Sequence, residues 1–227
     1  SCLGYGIYGR DNGGKLIDGY VDSCIISGIS LEAIRLERST GFFVSRNYCY
    51  SNQSGGISLN NCYSTFVINN RIDEYGQNSS GSGFISGIEV TLIGARPTIV
   101  AGNIVASSEP AVNYHYRHIS VTFGGLTSTK CLVLGNIIQG GWDTSPNNPG
   151  SPAFSLATNY EANGTQTGGG QSAYLIASHN QYANTGDDIL LASYITPAAI
   201  EHIGDVQLDR HLIADSALSG TPVLAAL

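Results

Sequence analysis

The chain has 227 residues, 42% of them hydrophobic and only 12% charged, with 29 glycines and a formal net charge of −7. That length suits one domain with a large buried core, and the low charge suits strands and turns better than surface helices. The acidic balance excludes a binder of phosphate backbones, which needs clustered Lys and Arg, and no run of about 18 apolar residues is present to insert into a membrane.

Residues 1–15 read as a lead-in. Ser1-Cys2-Leu3-Gly4-Tyr5 lacks the basic and apolar regions of a secretory leader, and methionine is absent throughout, so a truncated or processed N-terminus is expected. From residue 16 a phrase recurs. Tyr20-Val21-Asp22-Ser23-Cys24 opens the series, and Phe43-Val44-Ser45-Arg46-Asn47 and Phe66-Val67-Ile68-Asn69-Asn70 repeat it. Ile99-Val100-Ala101-Gly102-Asn103 and Leu132-Val133-Leu134-Gly135-Asn136 follow, with Ile176-Ala177-Ser178-His179-Asn180 as a looser copy. Two residues beyond each anchor stands Ile26, Cys49, Ile72, Val105, Ile138 or Tyr182.

A second alternating stretch follows each anchor: Ala33-Ile34-Arg35-Leu36, Gly56-Ile57-Ser58-Leu59, Gly87-Ile88-Glu89-Val90 and His118-Ile119-Ser120-Val121. Ala153-Phe154-Ser155-Leu156 and Asp188-Ile189-Leu190-Leu191 continue the series. Period-two alternation marks a strand with one buried face. The anchors lie 23, 23, 33, 33 and 44 residues apart. A fixed short period with insertions predicts a solenoid whose like residues stack about 4.8 Å apart. Loops rich in Gly, Ser, Asn and Pro fall at 76–83, 106–117, 140–152 and 163–170. The valines then form an inward ladder, and the asparagines sit at a turn where their amides bond backbone of their own and the next coil.

Leucine-rich repeats share a similar phrase, but leucine does not dominate here and the return segment is a strand rather than a helix. The reading is therefore all-β: a right-handed parallel β-helix over residues 16–193 with inserted loops. Residues 194–227 leave the repeat and end on Thr221-Pro222-Val223-Leu224-Ala225-Ala226-Leu227, which suits a cap or an oligomerisation segment. The five cysteines (2, 24, 49, 62 and 131) form no CxxC pair, and their odd number and apolar neighbours point to free buried thiols. One bridge among Cys24, Cys49 and Cys62 stays open.

If Ile34 and Leu36 face inward, Arg35, Ser58, Glu89 and Ser120 form one outward column, with Glu37, Asn60, Thr91 and Thr122 beside it. Glu37 and Glu89 then lie on the order of 10 Å apart, near the spacing of the two carboxyls of an inverting glycosidase. Each also reads as a solvated face charge near Arg35 and Arg38. Tyr114-His115-Tyr116-Arg117-His118 offers aromatic faces for sugar rings and base or cation chemistry, or simply packs a loop on the barrel. Asp73 and Glu74 precede a loop, where acids serve turns as often as substrates. No Gly-x-Ser-x-Gly elbow, phosphate loop or metal-ligand spacing occurs, so no cofactor or metal is expected.

The stretch from Gly19 to about Ser193 resembles the parallel β-helix repeats of the pectate-lyase superfamily, through the phrase Val-x-x-Asn-x-Ile followed by Gly-Ile-x-Leu. That superfamily includes phage tailspikes, polysaccharide lyases, epimerases and related hydrolases, so the resemblance speaks to fold far more than to reaction. The free thiols and the missing leader suit a tailspike fragment: a homotrimer on a virion tail or outside the cell, folded first in bacterial cytosol. The implied partner is a bacterial surface polysaccharide, with Glu37 and Glu89 catalytic and Arg35, Asp73, Glu74, Tyr114, His115, Tyr116, Arg117 and His118 in contact with it. The alternatives are a secreted lyase or epimerase and a non-catalytic glycan-binding spike. Only Lys15 and Lys130 represent lysine, which counts against the lyase.

Overall fold

The structure is a computed structural model of the chain. It describes residues 4–13, 16–76, 84–92, 96–106, 115–124, 129–139, 142–143, 151–152, 154–161, 173–178, 180–183, 190–191, 199–203 and 206–207. Three parallel sheets of seven strands each wind around one core. Sheet 1 contains Ile7–Arg10, Ile34–Glu37, Ile57–Asn60, Phe84–Leu92, His115–Gly124, Phe154–Glu161 and Leu190–Leu191. Sheet 2 contains Leu16–Asp22, Ser39–Ser45, Phe66–Ile68, Thr98–Ala101, Thr129–Leu134, Ala173–Ser178 and Ala199–Ile203. Sheet 3 contains Ile25–Ser27, Tyr48–Asn52, Arg71–Tyr75, Ile104–Ala106, Ile137–Gln139, Gln181–Ala183 and Val206–Gln207. Each rung runs sheet 2, sheet 3, sheet 1 and returns to sheet 2, which is a parallel β-helix.

The valine phrase lies on sheet 2 and stacks as the repeat requires: Val21 on Val44, Val44 on Val67, Val67 on Val100, Val100 on Val133. All but the first are fully buried. Ile26, Cys49, Ile72, Val105 and Ile138 fill the core from sheet 3, and Ile34, Leu36, Ile57, Leu59, Ile88, Val90, Ile119 and Val121 from sheet 1. A core with this few side-chain types per column fixes the register, because slipping by one residue would turn a polar column inward.

Between sheets 2 and 3 the chain turns at the asparagines, which make a hydrogen-bonded ladder. The Asn70 Nδ2 donates to the Val44 carbonyl (2.8 Å) and to Asn103 Oδ1 (3.0 Å). Its Oδ1 accepts from the Asn47 backbone N–H (3.0 Å) and from Asn47 Nδ2 (2.9 Å). Asn47, Asn103 and Asn136 repeat this pattern, and Asn180 joins it through Asn136 and Val133. In the first rung Cys24 stands in the ladder's place, its N–H donating to Asn47 Oδ1 and its thiol to the Asp22 carbonyl.

Left-handed backbone follows the same rule. All nine described non-glycine residues with positive φ fall in four columns: Asp18 and Ser64; Ser23, Arg46 and Asn69; Ser51 and Glu74; and Arg38 and Asn61. Glycine takes the slot elsewhere in those columns, as at Gly41, where φ is +72 and a Cβ would lie 2.0 Å from Asp18 Oδ1. A bend repeated at one point of every rung keeps the rungs parallel, and this outweighs the local cost of about 1–2 kcal/mol at each non-glycine site.

Four features differ from the sequence reading. Sheet 3 is a third strand per rung, where only two strands were expected. The solenoid continues past residue 193, because Ala199–Ile203 pairs with Ala173–Ser178 and Val206–Gln207 with Gln181–Ala183. It also begins before residue 16, since Ile7–Arg10 pairs with Ile34–Glu37. In Phe154–Glu161 it is Leu156, not Phe154, that pairs with Ile119, a shift of two residues. Cys24, Cys49, Cys62 and Cys131 are free thiols; Cys49, Cys62 and Cys131 are buried and Cys24 half-buried. Burial pushes the Cys49 and Cys131 thiols up to about 12. The tail from 208 onward and most of the long loops lie outside the described residues.

Candidate functional site

The outer face of sheet 1 carries two columns in the register expected. One runs Tyr8, Arg35, Ser58, Glu89, Ser120 and the other Arg10, Glu37, Asn60, Thr91, Thr122. Arg35 is the hub of the first rungs. Its Nε donates to Glu37 Oε1 at 2.7 Å, its Nη1 lies 3.3 Å from Glu32 Oε1, and its guanidinium sits 5.4 Å from the centre of the Tyr5 ring. Tyr5 in turn stacks on Tyr8 at 4.9 Å.

Glu37 is held from three sides: by Arg35, by the Tyr8 hydroxyl donating at 2.9 Å, and by Arg10 Nε at 3.4 Å. Burial pushes its carboxyl up, but the hydrogen bonds from Arg35 and Tyr8 and the charges of Arg35 and Arg10 outweigh that and leave it below the ordinary glutamate range. Glu37 is therefore an ionised, positioned carboxylate that does not donate a proton at neutral pH. Glu89 is half-buried and accepts a hydrogen bond from the Ser58 hydroxyl at 3.0 Å. Among the described residues no arginine pairs with it.

The two carboxylates are farther apart than stacking alone indicates. Glu89 shares a column with Arg35, not with Glu37, so two rungs and two residues separate them, a Cα distance of about 12 Å by strand geometry. Nor is there an open hollow at Ser58, which is only 2% exposed; Ser120 and Thr122 are buried as well. The accessible lane runs instead through Glu37, Asn60 and Thr91, with Asn60 exposed and the other two half-buried.

A comparison with protein families places this geometry. The family described as the right handed beta helix region matches residues 1–150, most of the described solenoid. The chain belongs to the right-handed β-helix family. Comparison with curated proteins and with solved structures returns no match. The β-helix thus shares its fold with the pectate-lyase-like superfamily, and its reaction has to be argued from its own residues.

Several expected contact residues lie elsewhere on the β-helix. His118 is fully buried, and its Nδ1 is 2.7 Å from the Tyr75 hydroxyl, which is itself buried. Period-two counting puts His118 outside, but at the corner between sheets 3 and 1 the parity reverses. A Cβ on Gly87, one rung earlier in the same column, would meet Val105 and Tyr75 of the interior. Asp73 belongs to sheet 3, nearly buried, paired with Arg71 at 2.6 Å, while Arg71 lies over the Tyr48 ring. Glu74 occupies one of the left-handed bends of the same strand. Neither acid shares a face with Glu37 and Glu89. His115, Tyr116 and Arg117 are strand residues of sheet 1, opposite Phe84, Ile85 and Ser86, and not part of a loop. Tyr114 lies outside the described residues.

Tyr8 and Arg10 were missed in the sequence. Their strand repeats the return phrase as Ile7-Tyr8-Gly9-Arg10, with glycine in the slot that Leu36 fills one rung later. A Cβ at Gly9 would crowd the Leu36 and Leu16 side chains, so the interior there is already full and the apolar signal disappears.

Proposed function

We propose that this β-helix binds a bacterial surface polysaccharide along the outer face of sheet 1, as the shaft of a homotrimeric phage tailspike, and hydrolyses it with Glu37 and Glu89. The observation that carries the reading is the pairing of two unlike carboxylates on one face. Glu37 is held ionised by Arg35, Arg10 and Tyr8, whereas Glu89 has only a serine hydroxyl against it among the described residues. Glu37 and Glu89 then stand as the two carboxyls of an inverting glycosidase, one activating water and the other protonating the leaving oxygen. Free, deeply buried thiols support folding in a reducing cytosol before assembly.

Incubation with a panel of capsular and O-antigen polysaccharides tests this, reading new reducing ends and ultraviolet absorbance of unsaturated products. Reducing ends without absorbance are expected, and Glu89→Gln or Glu37→Gln should lower turnover at least about a hundredfold while binding persists. Absorbing products would favour a lyase. Binding without cleavage would leave an adhesive spike.

A further inference from the structure

We infer that the glycan held on this face is uncharged, a polymer whose sugar units offer hydroxyls and N-acyl groups and carry no uronate, sialate or phosphate. The inference rests on the proposal that sheet 1 is the binding face and concerns the chemistry that face accepts. In the rungs before Phe84–Leu92 the cations of this face are Arg35 and Arg10, and both are already committed to protein carboxylates: Arg35 to Glu37 and Glu32, Arg10 to Glu37. Arg38, at the turn leaving the same strand, donates to the Asp11 carbonyl at 2.7 Å. Against these three arginines stand Glu32, Glu37 and Glu89, so the named charges balance and no excess of positive charge is left to meet an anion. The chain as a whole carries 17 acidic against 10 basic residues.

An anionic sugar would have to take Arg35 away from two carboxylates and leave Glu37 partly uncompensated, or else lie beside Glu89 with like charges facing. Both arrangements oppose binding. The accessible groups between Glu37 and Glu89 are the Asn60 amide and the Thr91 hydroxyl, each able to donate and accept, which is the complement of a sugar hydroxyl. The face then recognises shape and hydroxyl pattern.

The test uses the full chain, immobilised, against a panel of bacterial O-antigen and capsular polysaccharides in which half are neutral and half contain uronate, sialate or phosphate. Binding is measured from about 0.01 M to about 1 M NaCl, over which the screening length falls from about 30 Å to about 3 Å. The expected binders are neutral, with affinity changing less than about twofold over that range, because no ionic contact is screened. Each acidic binder is measured again after its charged groups are reduced or removed. A tenfold or greater loss on that treatment overturns the inference, because the charge was then being recognised. Undiminished binding after the treatment supports it. If no polymer binds at all, the glycan reading of sheet 1 fails and the inference with it; binding of an acidic polymer through its charge removes only the inference.

Discussion

At the scale of single residues, the asparagine ladder and the ion pairs of Glu37 work in opposite ways. Asn70 is buried and every hydrogen-bonding site of its amide is used: two donors from Asn47 on its oxygen, two acceptors for its nitrogen. Truncation to alanine leaves the Asn47 N–H and the Val44 carbonyl without their partners inside the solenoid. Each such group costs about 1–3 kcal/mol, so Asn70→Ala is expected to lower unfolding free energy by about 3 kcal/mol or more in urea titrations. A loss under about 1 kcal/mol would mean that the ladder is incidental to stability. Glu37 is partly solvated, and its contribution depends on pH. Its folded-state pKa is depressed, so the stability it adds is present above the unfolded value and lost as pH falls through the lower folded one. The difference in melting temperature between the native chain and Glu37→Gln should therefore be constant above about pH 5 and shrink as pH falls below about 4. An unchanged difference in acid would show that the carboxylate is not held ionised.

At the scale of elements, the corner between sheets 3 and 1 sets how closely rungs approach. A Cβ on Gly56 would lie 2.6 Å from the Gly87 carbonyl oxygen and 2.5 Å from an Ile72 methyl, and one on Gly87 would lie 2.9 Å from the His118 carbonyl oxygen. At Gly56 both a backbone oxygen and the Ile72 methyl stand closer than a Cβ allows, so Gly56→Ala should cost about 1–3 kcal/mol, the usual range for overpacking. Thermal melts against Ala33→Gly, in the same column of an earlier rung, provide the control, since that change opens space; equal melting temperatures for the two variants would discount the close approach. This corner also explains what could be read in advance. Valine and asparagine columns were legible because each slot admits one size and one hydrogen-bonding pattern. Sheet 3 was not recognised as a sheet because strands such as Ile25–Ser27 and Ile104–Ala106 hold a single inward residue, too few to show alternation. His118 was misplaced because alternation holds along a strand and fails where the chain turns. In Phe154–Glu161, Phe154 and Leu156 both suit the same inward slot, and sequence alone could not choose between them.

For the molecule as a whole, the consequence is that stability is distributed along one axis. Each rung touches the rungs above and below it, so the effect of damage depends on where it falls. Val67 is fully buried with Val44 on one side and Val100 on the other, whereas Val21, in the first described rung of sheet 2, stacks on Val44. A buried unpaired carboxylate costs several kcal/mol against a domain margin of roughly 5–15 kcal/mol. Val67→Asp breaks the stack in its middle, separating the rungs that carry Glu37 from those that carry Glu89, and the chain should fail to accumulate in soluble form. In this 227-residue chain Val21→Asp strikes the first described rung of sheet 2, which can fray while the rest of the solenoid keeps its valine and asparagine ladders. Hydrogen exchange should then show loss of protection confined to the strands around Leu16–Ser27, with Thr98–Ala106 as slow as in the native chain. If Val21→Asp instead unfolds all rungs together, the β-helix is one cooperative unit, and the outer face of sheet 1 cannot be altered at one end without loss of the other.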